Sequence, residues 1–175
     1  MKIYFFPGLG ADESLSGYHP ISGFEVTWVR WPSNFGTNWT EFISNILLEN
    51  KIDTDSIFIG ISFGGLVAQR LAQKIRPKKI ILIGSLSSND SISFFYKMAG
   101  CLRSDQTKEL IHLVFENGEF QKYNGPLLRI HGTKDRIISK KNETIDLIIH
   151  EGGHLISMTH SEEINAFIKG EIQKA

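Results

Sequence analysis

The sequence holds a single cysteine, Cys101, among its 175 residues. One thiol excludes an intramolecular disulfide and a cysteine-based metal cluster, and it predicts a reducing compartment, the cytoplasm. Net charge is also missing. Nineteen basic residues balance nineteen acidic ones, so no whole-molecule field draws the chain toward nucleic acid or an anionic membrane. Runs of like charge go no further than pairs such as Lys78-Lys79 and Lys140-Lys141, which read as solvated turns. No stretch approaches the ~20 apolar residues that a membrane-spanning helix needs. The apolar start Ile3-Tyr4-Phe5-Phe6 ends at a Pro7-Gly8 turn and is too short for a signal-peptide core. Internal repeats and low-complexity linkers are absent too, so one soluble domain over 1–175 is expected.

What is present is an alternation of short apolar runs and helical patterns. The runs 2–6, 25–31, 56–60, 79–84, 127–131 and 143–150 are rich in Ile, Val, Phe and Trp and mostly apolar throughout. That is the pattern of strands covered on both faces. Between them, Trp39, Phe42, Ile43, Ile46 and Leu47 share one face of a helix over 38–50. Ile164, Phe167, Ile168 and Ile172 do the same near the end, where Thr159 and Glu162 have the spacing of a capping box. Strands alternating with helices predict an α/β fold: a three-layer α/β/α sandwich around a mainly parallel sheet of about six strands. The interval 85–125 has no convincing strand. Helical patterns near 92–102 and 105–116 predict a short helical cap inserted there, over a site or packed as surface helices.

The chemistry concentrates in Ile57-Phe58-Ile59-Gly60-Ile61-Ser62-Phe63-Gly64-Gly65. A strand pattern stops at Gly60 and a helix pattern over 63–75 begins after Ser62, with Gly60 and Gly64 two positions to either side. This is the G-x-S-x-G pattern of a nucleophile elbow, whose tight turn demands small neighbours. It predicts Ser62 as a nucleophile at a helix N-terminus, where the Phe63 amide faces developing negative charge. A serine hydroxyl needs a base and an orienting acid. Of six histidines, His154 follows the last strand in a Gly152-Gly153 loop and is the expected base, with His160 next and His150 an impostor. His131, at a strand end, reads as structural. Asp135 in His131-Gly132-Thr133-Lys134-Asp135 follows a strand by a few residues and is the expected acid, with Asp146 the next candidate. All three then share the carboxyl edge of the sheet, where open α/β sheets bind ligands. The turn Pro7-Gly8-Leu9-Gly10 offers a second oxyanion donor, the Leu9 amide or alternatively that of Gly10. Gly8-Leu9-Gly10 is not a dinucleotide fingerprint, because Glu13 stands where the third glycine belongs, and no P-loop lysine follows any glycine cluster. No metal is implied by the sequence, and neither metal nor cofactor is expected. The aromatics Phe5, Phe6, Trp28, Trp31, Phe94, Phe95 and Phe115 are expected in the core, and Phe63 at the border of a pocket.

Together these motifs resemble the α/β-hydrolase superfamily, in its order Ser, Asp, His and over nearly the whole chain. The resemblance implies Ser62 as nucleophile, His154 as base then acid, Asp135 as its partner, and the Leu9 and Phe63 amides as oxyanion donors. Pro7 departs from the pattern, standing where many members carry a histidine. The implied activity is that of a small serine hydrolase acting on a carboxylic ester, thioester or similar acyl compound. The same residues in this superfamily also serve lyase, carbon–carbon hydrolase or cofactor-free peroxidase chemistry. A non-catalytic ligand-binding protein on the same fold is the alternative of another class.

Overall fold

A computed structural model describes residues 2–9, 11, 23–85, 123–138 and 143–174. Its strands are β1 (Lys2–Phe6), β2 (Val26–Trp28), β3 (Ser56–Ile61), β4 (Lys79–Ile83), β5 (Leu127–Gly132) and β6 (Leu147–Ile149). They form one sheet in the order β2-β1-β3-β4-β5-β6, with every neighbouring pair parallel. The helices are α1 (Trp39–Asn50), α2 (Phe63–Ile75), α3 (Ile156–Thr159) and α4 (Ser161–Gln173). The expected cap over 85–125 falls almost wholly outside the described residues, as do Phe94, Phe95, Phe115 and Gly10.

Successive side chains of a strand leave opposite faces of the sheet, so a strand covered on both sides must be apolar at every position. In β1, Tyr4 and Phe6 enter one core while Ile3 and Phe5 enter the other. The first core is closed by α1 and α2 through Phe42, Ile46, Leu66, Val67 and Leu71. The second is closed by α3 and α4 through Ile156, Ile164, Ile168 and Ile172. These are the three layers, and the two faces use different chemistry: aromatic on the α1–α2 side, almost pure isoleucine on the other.

Several element ends differ from expectation. Strand β2 stops at Trp28 rather than continuing to 31, because Asn50 at the end of α1 captures the next turn of chain. Its Oδ1 accepts from the Arg30 amide at 2.8 Å and its Nδ2 donates to the Arg30 carbonyl at 3.0 Å. Strand β6 starts at Leu147 rather than 143. Just before it, the Asp146 carboxylate takes the Arg129 amide at 2.8 Å, and Glu143 pairs with the Arg129 guanidinium at 3.2 Å, so side chains replace the ladder there. The Thr159–Glu162 capping box does not form. A separate turn, α3, occupies 156–159; His160 is the N-cap of α4 and makes no side-chain cap, while the Thr159 hydroxyl donates back to the Leu155 carbonyl at 3.2 Å. At α1 the cap is Asn38, whose Oδ1 accepts from the Glu41 amide at 3.0 Å, so the helix begins one residue later than its pattern suggests.

Candidate active site

The chain leaves β1 toward β2 and leaves β3 toward β4, on opposite sides, so the strand order reverses between β1 and β3. Parallel sheets bind ligands outside the carboxyl ends of the strands at such a reversal. Ser62 emerges there from the end of β3. Its backbone has φ 51° and ψ −119°, a conformation that L-residues rarely adopt. Three bonds hold it: the Ser62 amide donates to the Ile83 carbonyl at 3.1 Å, and the Ser62 carbonyl accepts from the Gly65 amide at 3.2 Å and the Ser85 hydroxyl at 2.6 Å. The flanking glycines are dictated by space. A Cβ on Gly64 would collide with the carbonyl oxygens of Phe6 and Pro7, and one on Gly60 with the backbone of Gly65.

The loop after β6 carries His154 across the edge of the sheet. Its Nε2 lies 3.0 Å from Ser62 Oγ and its Nδ1 lies 3.0 Å from Asp135 Oδ2. A carboxylate only accepts, so Nδ1 bears the proton and Nε2 of the neutral ring accepts from the serine hydroxyl. Asp135 lies past the end of β5 with a fully buried side chain. Burial alone would raise its pKa. The His154 hydrogen bond and the amides of Ile138 and Ile137 on Oδ1 outweigh it, holding the carboxyl below its ordinary value. The group is therefore ionised and aimed.

The turn after β1 closes the site from the other side. A Cβ on Gly8 would stand 3.6 Å from Ser62 Cβ, so this backbone passes beside the hydroxyl-bearing residue, with Leu9 next to it. Phe63 opens α2, and its amide is one of the first-turn N–H groups that a helix leaves without an internal acceptor. The Phe63 side chain, expected at a pocket border, is fully buried between Trp31, 5.6 Å away in edge contact, and Trp39, 6.5 Å away and stacked. There it anchors α2 to the aromatic core.

The other candidates sit elsewhere. His160 Nδ1 is 2.8 Å from the Thr159 hydroxyl, Asp146 is committed to the Arg129 amide, and His150 is exposed just past β6. His131 is buried, its Nε2 donating to the Ile138 carbonyl at 3.1 Å. Sequence reasoning missed Ser85, whose hydroxyl grips the Ser62 carbonyl. Its one signal was a serine directly after a strand-ending glycine, at the same carboxyl edge.

No protein-family model and no curated protein sequence matches the chain. Solved structures do. An α/β-hydrolase enzyme from the metagenome of lagoon sediments at Mar Chica, Morocco, superposes with a TM-score of 0.71 at 18% identity, over 99% of this chain and 91% of that one. A putative lipase from Acinetobacter baumannii gives 0.76 at 14% identity, over 99% and 83%. A 2-hydroxy-6-oxo-6-phenylhexa-2,4-dienoate hydrolase from a Rhodococcus strain gives 0.69 at 13% identity, over 98% and 90%. The chain has the α/β-hydrolase fold. Among the described residues, no helix is long and apolar enough to cross a membrane.

Proposed function

We propose that the protein is a serine hydrolase of a carboxylic ester, thioester or similar small acyl compound. The observation that carries this reading is the continuous chain from Ser62 Oγ through both nitrogens of His154 to Asp135, each link 3.0 Å long. His154 Nε2 takes the hydroxyl proton as Oγ attacks the substrate carbonyl carbon. The buried Asp135 carboxylate stabilises the imidazolium that forms. The oxyanion rests on the Phe63 and Leu9 amides, the former at the positive end of α2. Collapse of the tetrahedral adduct breaks the bond to the leaving group, which departs with the proton from Nε2. Water, deprotonated by the same nitrogen, then attacks the acyl group on Ser62 and restores the hydroxyl.

The test is turnover of a short-chain p-nitrophenyl ester by the full chain and by Ser62→Ala. Turnover should fall by about 10⁶-fold, the scale for losing a serine nucleophile, while far-UV circular dichroism stays unchanged. A variant as active as its parent refutes the reading. Labelling of Ser62 by a fluorophosphonate separates a hydrolase from a ligand-binding protein on the same fold, since only an activated serine is labelled. The similarity to the Rhodococcus enzyme supports a second reading, in which the same residues cleave a carbon–carbon bond beside a carbonyl. Fluorophosphonate labelling without turnover of any ester favours it. The one thiol, Cys101, supports a cytoplasmic setting.

A further inference from the structure

We infer that His131 is a positioning residue for Asp135, acting through the turn that carries the carboxylate; this rests on the hydrolase reading above. His131 is 4% exposed and stands one residue before the end of β5. Its Nε2 is 3.1 Å from the Ile138 carbonyl oxygen. A carbonyl cannot donate, so Nε2 bears a proton whatever the charge of the ring. The other end of the same residue, the Ile138 amide, donates to Asp135 Oδ1 at 3.0 Å, beside the Ile137 amide at 2.8 Å. Ile138 is thus tied by its carbonyl to the imidazole and by its amide to the carboxylate.

That arrangement closes a ring from β5 through His131, Ile138 and Asp135 back to β5. The carboxylate cannot turn about its own axis without breaking an amide contact, and the amides cannot follow it while the Ile138 carbonyl is held. Oδ2 is left to face His154 Nδ1 at 3.0 Å, and His131 Nε2 stands 3.5 Å from the same oxygen. A histidine that served only to fill the core would be replaceable by an apolar residue of similar volume. One that holds the turn needs a proton donor at the Nε2 position.

Two variants of the full chain decide between these. In His131→Leu the donor is gone; kcat for the p-nitrophenyl ester should fall between about 10- and 100-fold, the range for a slight misplacement of a reacting group. KM should stay within about twofold, because no substrate contact is removed. The His154 ring, titrated by NMR, should ionise at lower pH, since a displaced carboxylate no longer stabilises the imidazolium. His131→Gln, whose side-chain N–H reaches toward the Nε2 position, should recover most of both effects. An unchanged kcat and titration in His131→Leu overturns the inference, and so does a His131→Gln no better than the leucine variant. If the leucine variant does not fold, His131→Asn replaces it, being polar but too short to reach Ile138, and the same comparison with His131→Gln decides the matter. If the parent turns over no ester, the hydrolase reading fails by itself, while the His154 titration across the variants still tests His131.

Discussion

Ser62 carries its hydroxyl on a backbone that resists it. A non-glycine residue held in such a region costs on the order of 1–3 kcal/mol, and the bonds from Ile83, Gly65 and Ser85 hold it there. Ser62→Ala keeps the strain and Ser62→Gly releases it, so the two should differ although both lack the hydroxyl. The glycine variant should be more stable than the alanine variant by about 1 kcal/mol, the strain less glycine's extra chain entropy. Urea unfolding checks this; equal midpoints would mean the turn is unstrained. Asp135 permits a second residue-scale prediction. In the proposed mechanism Asp135→Asn keeps the shape but loses the charge that stabilises the imidazolium, and kcat should drop by about 10⁴-fold. The folded carboxyl titrates below its ordinary value, held there by His154 and the two amides. Its stabilisation is therefore complete above the unfolded value and is lost as pH falls through the folded one. The stability gap between the parent and Asp135→Asn should be widest above about pH 5 and close on acidification, as urea midpoints across a pH series would show. A gap that widened in acid would contradict the depressed pKa.

Secondary structure was legible where residues decide locally and illegible where distant side chains decide. The centres of all six strands follow from runs such as Lys79-Ile80-Ile81-Leu82-Ile83, apolar at every buried position. Helix α2 follows from the switch in period after Ser62, and its observed bounds are the expected ones. The ends of β2 and β6 do not follow. Asn50 trims one from 20 residues away, and Asp146 and Glu143 fringe the other by engaging Arg129, partners that no local pattern names. Capping shows the same division. Thr159 and Glu162 have the right spacing but the chain makes a separate turn there, whereas Asn38 caps α1 and the Glu41 carboxylate reaches back to the Thr37 amide at 2.7 Å. Asn38→Ala should cost about 1 kcal/mol, the usual worth of such a cap. Thr159→Ala should cost no more than about 0.5 kcal/mol, the scale for substitutions away from such features. Thermal or urea unfolding of the pair distinguishes them, and a Thr159 effect as large as that of Asn38 would restore the capping box. On the other face of the sheet, Ile168 is fully buried among Ile164, Ile172 and the strand isoleucines, so Ile168→Ala should cost about 2–5 kcal/mol in the same unfolding measurement.

For the molecule as a whole, the meeting of Ser62, Asp135 and His154 is legible because a parallel sheet puts every strand's carboxyl end on one edge. Residues that follow strands β3, β5 and β6 then converge however far apart they lie in sequence. The braces around them are not legible in the same way, since the Ser85 hydroxyl and the Ile138 backbone meet partners that are set only once the sheet is assembled. Whatever the substrate, none of the three strands carries the site alone, and β4 separates β3 from β5. The hydrogen-bonded chain can therefore persist only while the whole parallel sheet does. In urea, loss of fluorophosphonate labelling at Ser62 should coincide with loss of far-UV circular dichroism, as one cooperative transition. Labelling lost at clearly lower urea would mean that the His154 loop detaches before the sheet unfolds. The local contacts of that loop, and not the sheet, would then limit the life of the site.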